Sequence, residues 1–363
     1  MSPLSEKGRK VLVTGAGGFI GHHLVRRLKS EGCWVRGVDI RRPAFVPTDA
    51  DEFLLSDLRF QDNCSTAVEG VDDVYQLAAD MGGIGYITTI HASLSRNNIL
   101  INSHMLEAAR LADVSRYFYS SSACVYPAHL QGEVGIRPLR ETDAIPANPE
   151  KGYGWEKLFA EQLASYFSEE YGLDVRIVRF HNIYGPLGTY EGGREKAPAA
   201  ISRKAAELPD GGSIPVWGDG EQTRSFCYID DCIDGIRRIM ESGFQQPVNL
   251  GSTELVTVNQ LVDMICAIAQ KRLVKVHELN RPQGVRGRNS DNSLLKSILD
   301  WEPQTKLHSG LAITYRWIWG QLAEKGLAQP PVPVPPARSL VAPVSHQHDS
   351  TGVAVSSPLS SRH

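Results

Sequence analysis

Short apolar runs and helical patterns alternate through the first half of the chain. Lys10–Thr14 (K-V-L-V-T) is almost wholly apolar and predicts a buried strand. Ile20, Leu24, Val25 and Leu28 recur at helical spacing and predict a helix over His22–Ser30. Further strands are predicted at Trp34–Ile40, Phe53–Leu55, Val74–Ala78, Tyr117–Ser120 and Val175–Phe180. Helical patterns lie between them, notably Leu100–Ala112 and Trp155–Tyr171. Parallel strands need crossover connections, so the alternation predicts an α/β fold with a parallel sheet covered on both faces.

After Tyr184 the pattern loosens. Gly185–Gly193 is rich in glycine, and Leu208–Pro215 (L-P-D-G-G-S-I-P) reads as a turn. Such segments suit a smaller lobe closing over the carboxyl edge of the sheet. Pro247–Gly251 reads as a strand and Val258–Gln270 as a helix. From Gln329 the composition turns to proline, serine, valine and alanine without a period. That stretch is expected to be a disordered tail, because it cannot bury enough apolar surface to offset its ordering entropy.

A length of 363 residues allows two domains or one large α/β unit with additions. With 42% hydrophobic and 22% charged residues, a disordered chain, a fibrous repeat and a disulfide scaffold are excluded. The net charge of −3 argues against broad nucleic-acid binding but leaves room for a small anionic ligand. No apolar run approaches the roughly 18 residues of a membrane span. Met1–Lys10 is polar and leads into the first strand, unlike a signal peptide. Cys33, Cys64, Cys124, Cys227, Cys232 and Cys266 are scattered without a C-x-x-C pair. Reduced thiols, a cytoplasmic location and no metal site are expected.

The chemistry starts at Thr14-Gly15-Ala16-Gly17-Gly18-Phe19-Ile20-Gly21, between the first strand and the first helix. Glycines serve there because the chain turns tightly and its backbone must touch a pyrophosphate, which the helix start then binds. Gly15, Gly18, Phe19, Ile20 and Gly21 are thus candidate cofactor contacts in a Rossmann-type, doubly wound sheet. Asp39 ends the next strand, 18 residues after Gly21, where a carboxylate would accept from the ribose hydroxyls. That favours NAD over NADP, although Arg41 and Arg42 could hold a 2′-phosphate. Asp57, after the third strand, fits an adenine contact or a plain turn.

Tyr153 and Lys157 form a Y-x-x-x-K pair, one strand–helix unit after Ser120-Ser121-Ser122. On a helix they share a face. The ammonium is expected to lower the phenol pKa toward neutrality, so that a tyrosinate can take a hydroxyl proton.

With these motifs the chain resembles the extended short-chain dehydrogenase/reductase superfamily over about residues 8–325, specifically its nucleotide-sugar-modifying members. The resemblance makes Ser122, in S-S-A-C-V-Y-P (Ser121–Pro127), the hydroxyl that bonds the sugar. Cys124 stands where other members carry other residues. Once a neighbouring carbon is a ketone, a thiolate of lowered pKa could remove a carbon-bound proton. Inversion then needs an acid on the other sugar face, and Lys196 in G-G-R-E-K-A-P-A-A is the candidate.

This combination is similar to the GDP-mannose 3,5-epimerase family. Further matching stretches are A-A-D-M-G-G from Ala78, F-H-N-I-Y-G-P from Phe180, W-G-D-G-E-Q-T-R-S-F from Trp217 and G-V-R-G-R-N-S-D-N from Gly284. The resemblance implies NAD as cofactor and GDP-mannose or a related GDP-sugar as substrate. It implies substrate contacts at Gly82, Asn182, Glu195, Lys196, Lys204 and Gln222. Arg288 would bind the pyrophosphate, with Arg286 a weaker candidate. It also implies a homodimer, no nucleic-acid partner and no membrane. The expected division is a cofactor-binding domain at 8–180 with 224–250 returning to it. A C-terminal substrate-binding lobe would take 181–223 and 251–326, and the tail 327–363. An NADPH-dependent reductase like GDP-L-fucose synthase, another sugar-nucleotide epimerase and a non-catalytic sensor on the same fold remain alternatives.

Overall fold

The computed structural model describes residues 7–330. The central sheet is built from Lys10–Thr14 (β1), Trp34–Asp39 (β2), Glu52–Leu55 (β3), Asp73–Gln76 (β4), Arg116–Ser122 (β5), Val175–Phe180 (β6) and Val248–Leu250. The strand order is Val248–Leu250, β6, β5, β4, β1, β2, β3, and every neighbouring pair is parallel. The chain builds outward from β1 to one side and then, from β4, to the other. Side chains at the carboxyl ends of β1 and β4 therefore border a crevice, the usual ligand site of such sheets.

The helices on its faces are Phe19–Ser30 (α1), Gln61–Val68 (α2), the short Ile84–Ile87 (α3), Ala92–Leu111 (α4) and Tyr153–Tyr171 (α5). Three start earlier than their apolar pattern predicts, α5 by the two residues Tyr153 and Gly154. In α1 the glycine loop runs straight into the helix, which begins at Phe19. In α4 the first turns carry polar residues, yet Asn98 and Asn102 are buried there. They face the sheet and make hydrogen bonds, so a polar inner face replaces the apolar one. Apolar side chains fill both faces of the sheet, with β1 giving Val11 and Val13 to one side and Leu12 to the other.

A second layer of small sheets lies past β6. Ser213–Trp217 pairs with Val274–Glu278. Thr223–Ser225 pairs with Leu255–Thr257 and with Gly287–Arg288. The helix Val258–Ala269 starts on a capping box in which Thr257 Oγ1 accepts from Gln260 N at 3.0 Å and Gln260 Oε1 accepts from Thr257 N at 2.8 Å. Two helices that the sequence reading passed over, Ala197–Glu207 and Ile229–Ser242, complete the frame, the second packing against α1. A further helix, Leu307–Glu324, is the last among the described residues. Leu327 and Gln329, read as tail, are hydrogen bonded to Leu322 O and Ala206 O. The expected tail beyond Pro330 lies outside the described residues. Among the described residues no helix is long and apolar enough to cross a membrane.

Candidate active site

A single cavity of about 1210 Å³ runs from the glycine loop, over the carboxyl ends of the strands, to the second layer. At one end Gly15 turns with a φ of +67°, against the backbone of Leu77 and Ala78. A Cβ on Gly21 would strike the Gly15 carbonyl. The first turn of α1 has no capping side chain and no acidic residue, so its N–H groups are available to an anion. Asp39, at the end of β2, accepts from Gly17 N at 3.0 Å and from Arg41 N at 3.1 Å. Burial raises its pKa while these N–H groups pull it down. Arg41 lines the cavity beside it, whereas Arg42 lies over the Phe53 ring at 5.3 Å. Asp57 also lines the cavity and is ion-paired with Arg59 at 2.6 Å. Cradle, open helix end and carboxylate together fit a dinucleotide.

The middle of the cavity is built by the end of β5, the 3-10 turn Ala123–Val125 and the start of α5. Ser122 Oγ accepts from Cys124 N at 3.2 Å and lines the cavity with Tyr153, whose pKa it pulls down. Lys157 Nζ donates to Ser120 O at 2.8 Å and lies 5.7 Å from the Tyr153 ring centre. Lys196 stands just before the helix Ala197–Glu207 and lines the same space, with Glu195 beside it. Its loop is held by Arg194, whose guanidinium lies 3.9 Å from the Tyr86 ring centre and donates to Tyr86 Oη at 2.7 Å. Gly83 N in turn donates to Arg194 O at 3.0 Å. A Cβ on Gly82 would press on Tyr86, which suits a backbone that lets a ligand come close.

At the far end Thr223–Ser225 and Gly287–Arg288 pair so that Arg224 stands opposite Arg288. Both line the cavity. Burial and the neighbouring Arg288 bring the Arg224 pKa down to about 9. Two buried guanidiniums side by side are unfavourable alone and become favourable once a diphosphate lies between them. Gln222 donates to Trp217 O at 2.9 Å, while its buried Oε1 has no partner. Asn182 donates to Ser225 O at 3.0 Å and Lys204 to Pro215 O at 3.0 Å.

The family model for NAD-dependent epimerases and dehydratases matches residues 11–251. The chain belongs to the NAD-dependent epimerase/dehydratase family. It is 48% identical over 318 residues to the GDP-mannose 3,5-epimerase of Arabidopsis thaliana, covering 87% of this chain and 84% of that protein. It is likewise 48% identical to GDP-mannose 3,5-epimerase 1 of Oryza sativa subsp. japonica, covering 88% and 84%. Among solved structures, the UDP-glucose 4-epimerase of Thermotoga maritima with UDP-glucose superposes with a TM-score of 0.79 at 27% identity, covering 86% of this chain and 99% of that one.

Every candidate residue of this epimerase-family site except one lines the cavity. Arg286 does not line it. It lies outside the two-residue strand Gly287–Arg288, and its guanidinium is held by Asp219 at 2.9 Å and Gln283 Oε1 at 3.0 Å. Arg224 takes the place beside Arg288. Two expected pKa directions are also reversed. Burial raises Tyr153 well above its ordinary value, outweighing any help from Lys157, whose own pKa burial lowers. Burial and the Glu150 carboxylate push the Cys124 thiol up, while Arg288 and Ser122 pull the other way. The reading missed Glu156, buried inside Y-x-x-x-K and bonded by Asn98 Nδ2 at 2.8 Å, with its pKa raised by burial to about 7. It also missed Glu150, which lines the cavity next to Cys124. Neither belongs to a spacing motif.

Proposed function

We propose that this cavity binds NAD and GDP-mannose and epimerises the sugar at C5 and C3. One observation carries the reading: Cys124 and Lys196 open into the same cavity as the Ser122–Tyr153–Lys157 set. The GDP-mannose 3,5-epimerases that are 48% identical to this chain support it.

Gly15, Gly18 and the start of α1 would hold the pyrophosphate of NAD, Asp39 its ribose and Asp57 its adenine side. When bound, NAD supplies the electron acceptor and then the donor at C4, and its positive ring favours the tyrosinate. Tyr153 Oη takes and later returns the proton of the C4 hydroxyl, and Ser122 shares that proton. A C4 ketone makes the hydrogens on C3 and C5 acidic. Cys124 Sγ then removes a proton from carbon, and Lys196 Nζ, made a better donor by burial, delivers one to the opposite face. Arg224 and Arg288 clamp the diphosphate, and Gln222, Lys204, Asn182, Glu195 and Gly82 position the rest. Residues 8–180 and 224–250 form the cofactor-binding part in this reading, and the rest of the described chain the substrate lobe.

Exposed Ile99 on α4 and Trp155, Phe159 and Tyr166 on α5 support a homodimer through this helix pair. A sedimentation mass of one chain would exclude it. Cys64, Cys124, Cys227, Cys232 and Cys266 are buried free thiols, which suits a reducing compartment such as the cytoplasm.

The substrate assignment is tested with a panel of sugar nucleotides. GDP-mannose should be epimerised without added cofactor, while UDP-glucose should be recovered unchanged. Net consumption of NADPH would instead support the reductase alternative. The cofactor assignment is tested by titration. NAD should bind roughly tenfold or more tightly than NADP, because a 2′-phosphate would meet the Asp39 carboxylate at close range. Asp39→Ala should narrow the gap, and tighter binding of NADP to the native protein would overturn the assignment.

A further inference from the structure

Glu150 is a carboxylate beside the reacting thiol that the mechanism above leaves unused. It lies on the loop before α5, and its N–H donates to Cys124 O at 3.1 Å. Its carboxylate lies near enough to the Cys124 thiol to push that thiol's pKa up. Arg288 completes the group, with Nη1 3.5 Å from Cys124 Sγ and Nη2 3.8 Å from Glu150 Oε2. Nε of Arg288 is fixed on Gln131 Oε1 at 2.6 Å. Cys124 is only 7% exposed, whereas the Glu150 side chain is 20% exposed. The carboxylate therefore bridges a buried thiol and the open part of the cavity.

Stereochemistry shows what such a bridge could do. In the mannose ring the hydrogens on C3 and C5 lie on the same face. A base that removes one and then the other acts twice in the same direction. After the first inversion Cys124 is a thiol and Lys196 an amine, and neither can repeat its step until it is reset.

We propose that Glu150 takes the Cys124 thiol proton between the two inversions, so that one thiolate serves both carbons. The S–H bond breaks and a carboxylic O–H forms. Arg288 remains a cation beside the new thiolate. Glu150 then gives its proton to water in the cavity, and water supplies one proton to the Lys196 amine. Glu150 is in this sense a positioning and relay residue acting through Cys124. The inference rests on the epimerase reading of Cys124.

The test is a single-turnover time course with NAD-loaded enzyme in excess over GDP-mannose in deuterated water. Before mixing, solvent has already set the balance of Cys124 thiol and thiolate, and removing Glu150 can only lower the thiol pKa, so the first inversion does not wait on the relay. In Glu150→Gln it should keep most of its rate, and deuterium should enter C5. The second inversion should slow by roughly tenfold or more, the low end of what acid–base groups contribute. The C5-only epimer should therefore accumulate ahead of the doubly inverted sugar. Glu150→Asp should restore part of the second step, which a purely structural role would not predict. A native ratio of the two products in Glu150→Gln, with Cys124→Ala devoid of both inversions, would overturn the relay and leave the epimerase reading intact. Equal loss of both inversions in Glu150→Gln would also overturn it. Deuterium entry at native rates in Cys124→Ala would overturn the role of Cys124 and the relay together.

Discussion

Tyr153→Phe should abolish turnover and every exchange of carbon-bound hydrogen. The phenol is buried at the start of α5 beside Ser122, with the Lys157 ammonium fixed on Ser120 O nearby. No other residue in this set combines a hydroxyl with a neighbouring ammonium. Without it the C4 hydroxyl keeps its proton, no ketone forms, and the hydrogens on C3 and C5 stay inert. The loss should reach at least about 10²–10⁴-fold, the usual contribution of an acid–base group. Absorbance of reduced cofactor during a single turnover and solvent deuterium in the recovered sugar should both be missing. Deuterium appearing at C5 in this variant would show that proton exchange does not depend on Tyr153.

Cys124→Ala should separate the two halves of the chemistry. It leaves Ser122, Tyr153 and Lys157 in place, so C4 oxidation should persist and reduced cofactor should appear transiently. Epimerisation and deuterium entry should fall by about 10²–10⁴-fold. Lys196→Ala removes the opposite partner. There the thiolate can still take a proton and return a solvent deuteron to the same face, so deuterium should wash in without inversion. The contrast between the two variants assigns base and acid more firmly than either alone. Native deuterium entry in Cys124→Ala would reduce the cysteine to a packing residue.

The order of legibility in the sequence follows how local each signal is. The strands of the central sheet are apolar on both faces, so β1 and β6 stand out with their observed ends. Tyr153 and Lys157, four residues apart on one helix, are legible for the same reason. The buried polar start of α4 is not, because Asn98 and Asn102 find partners only after β4 and α5 pack against them. Arg224 and Arg286 could not be ranked from spacing. The register between Thr223–Ser225 and Gly287–Arg288 sets Arg224 against Arg288 in the cavity lining, where Arg286 is not found. Glu150 is the clearest case. It is 26 residues from Cys124 in the chain, and only a loop crossing brings the carboxylate to the thiol. The pKa directions also escaped the sequence reading, since burial is the largest influence on both Tyr153 and Cys124 and outweighs the Arg288 cation at the thiol.

The central claim is that one cavity oxidises C4 and exchanges protons at its neighbours without net redox change. Incubation with GDP-mannose in deuterated water, without added cofactor, followed by NMR of the sugar, addresses it directly. The account predicts epimerised product carrying deuterium at C5, and at C3 where that centre has inverted. C4 should retain its original protium, because the hydrogen taken there is returned within the same cavity. Deuterium at C4, or inversion at C5 with no deuterium there, would contradict the account.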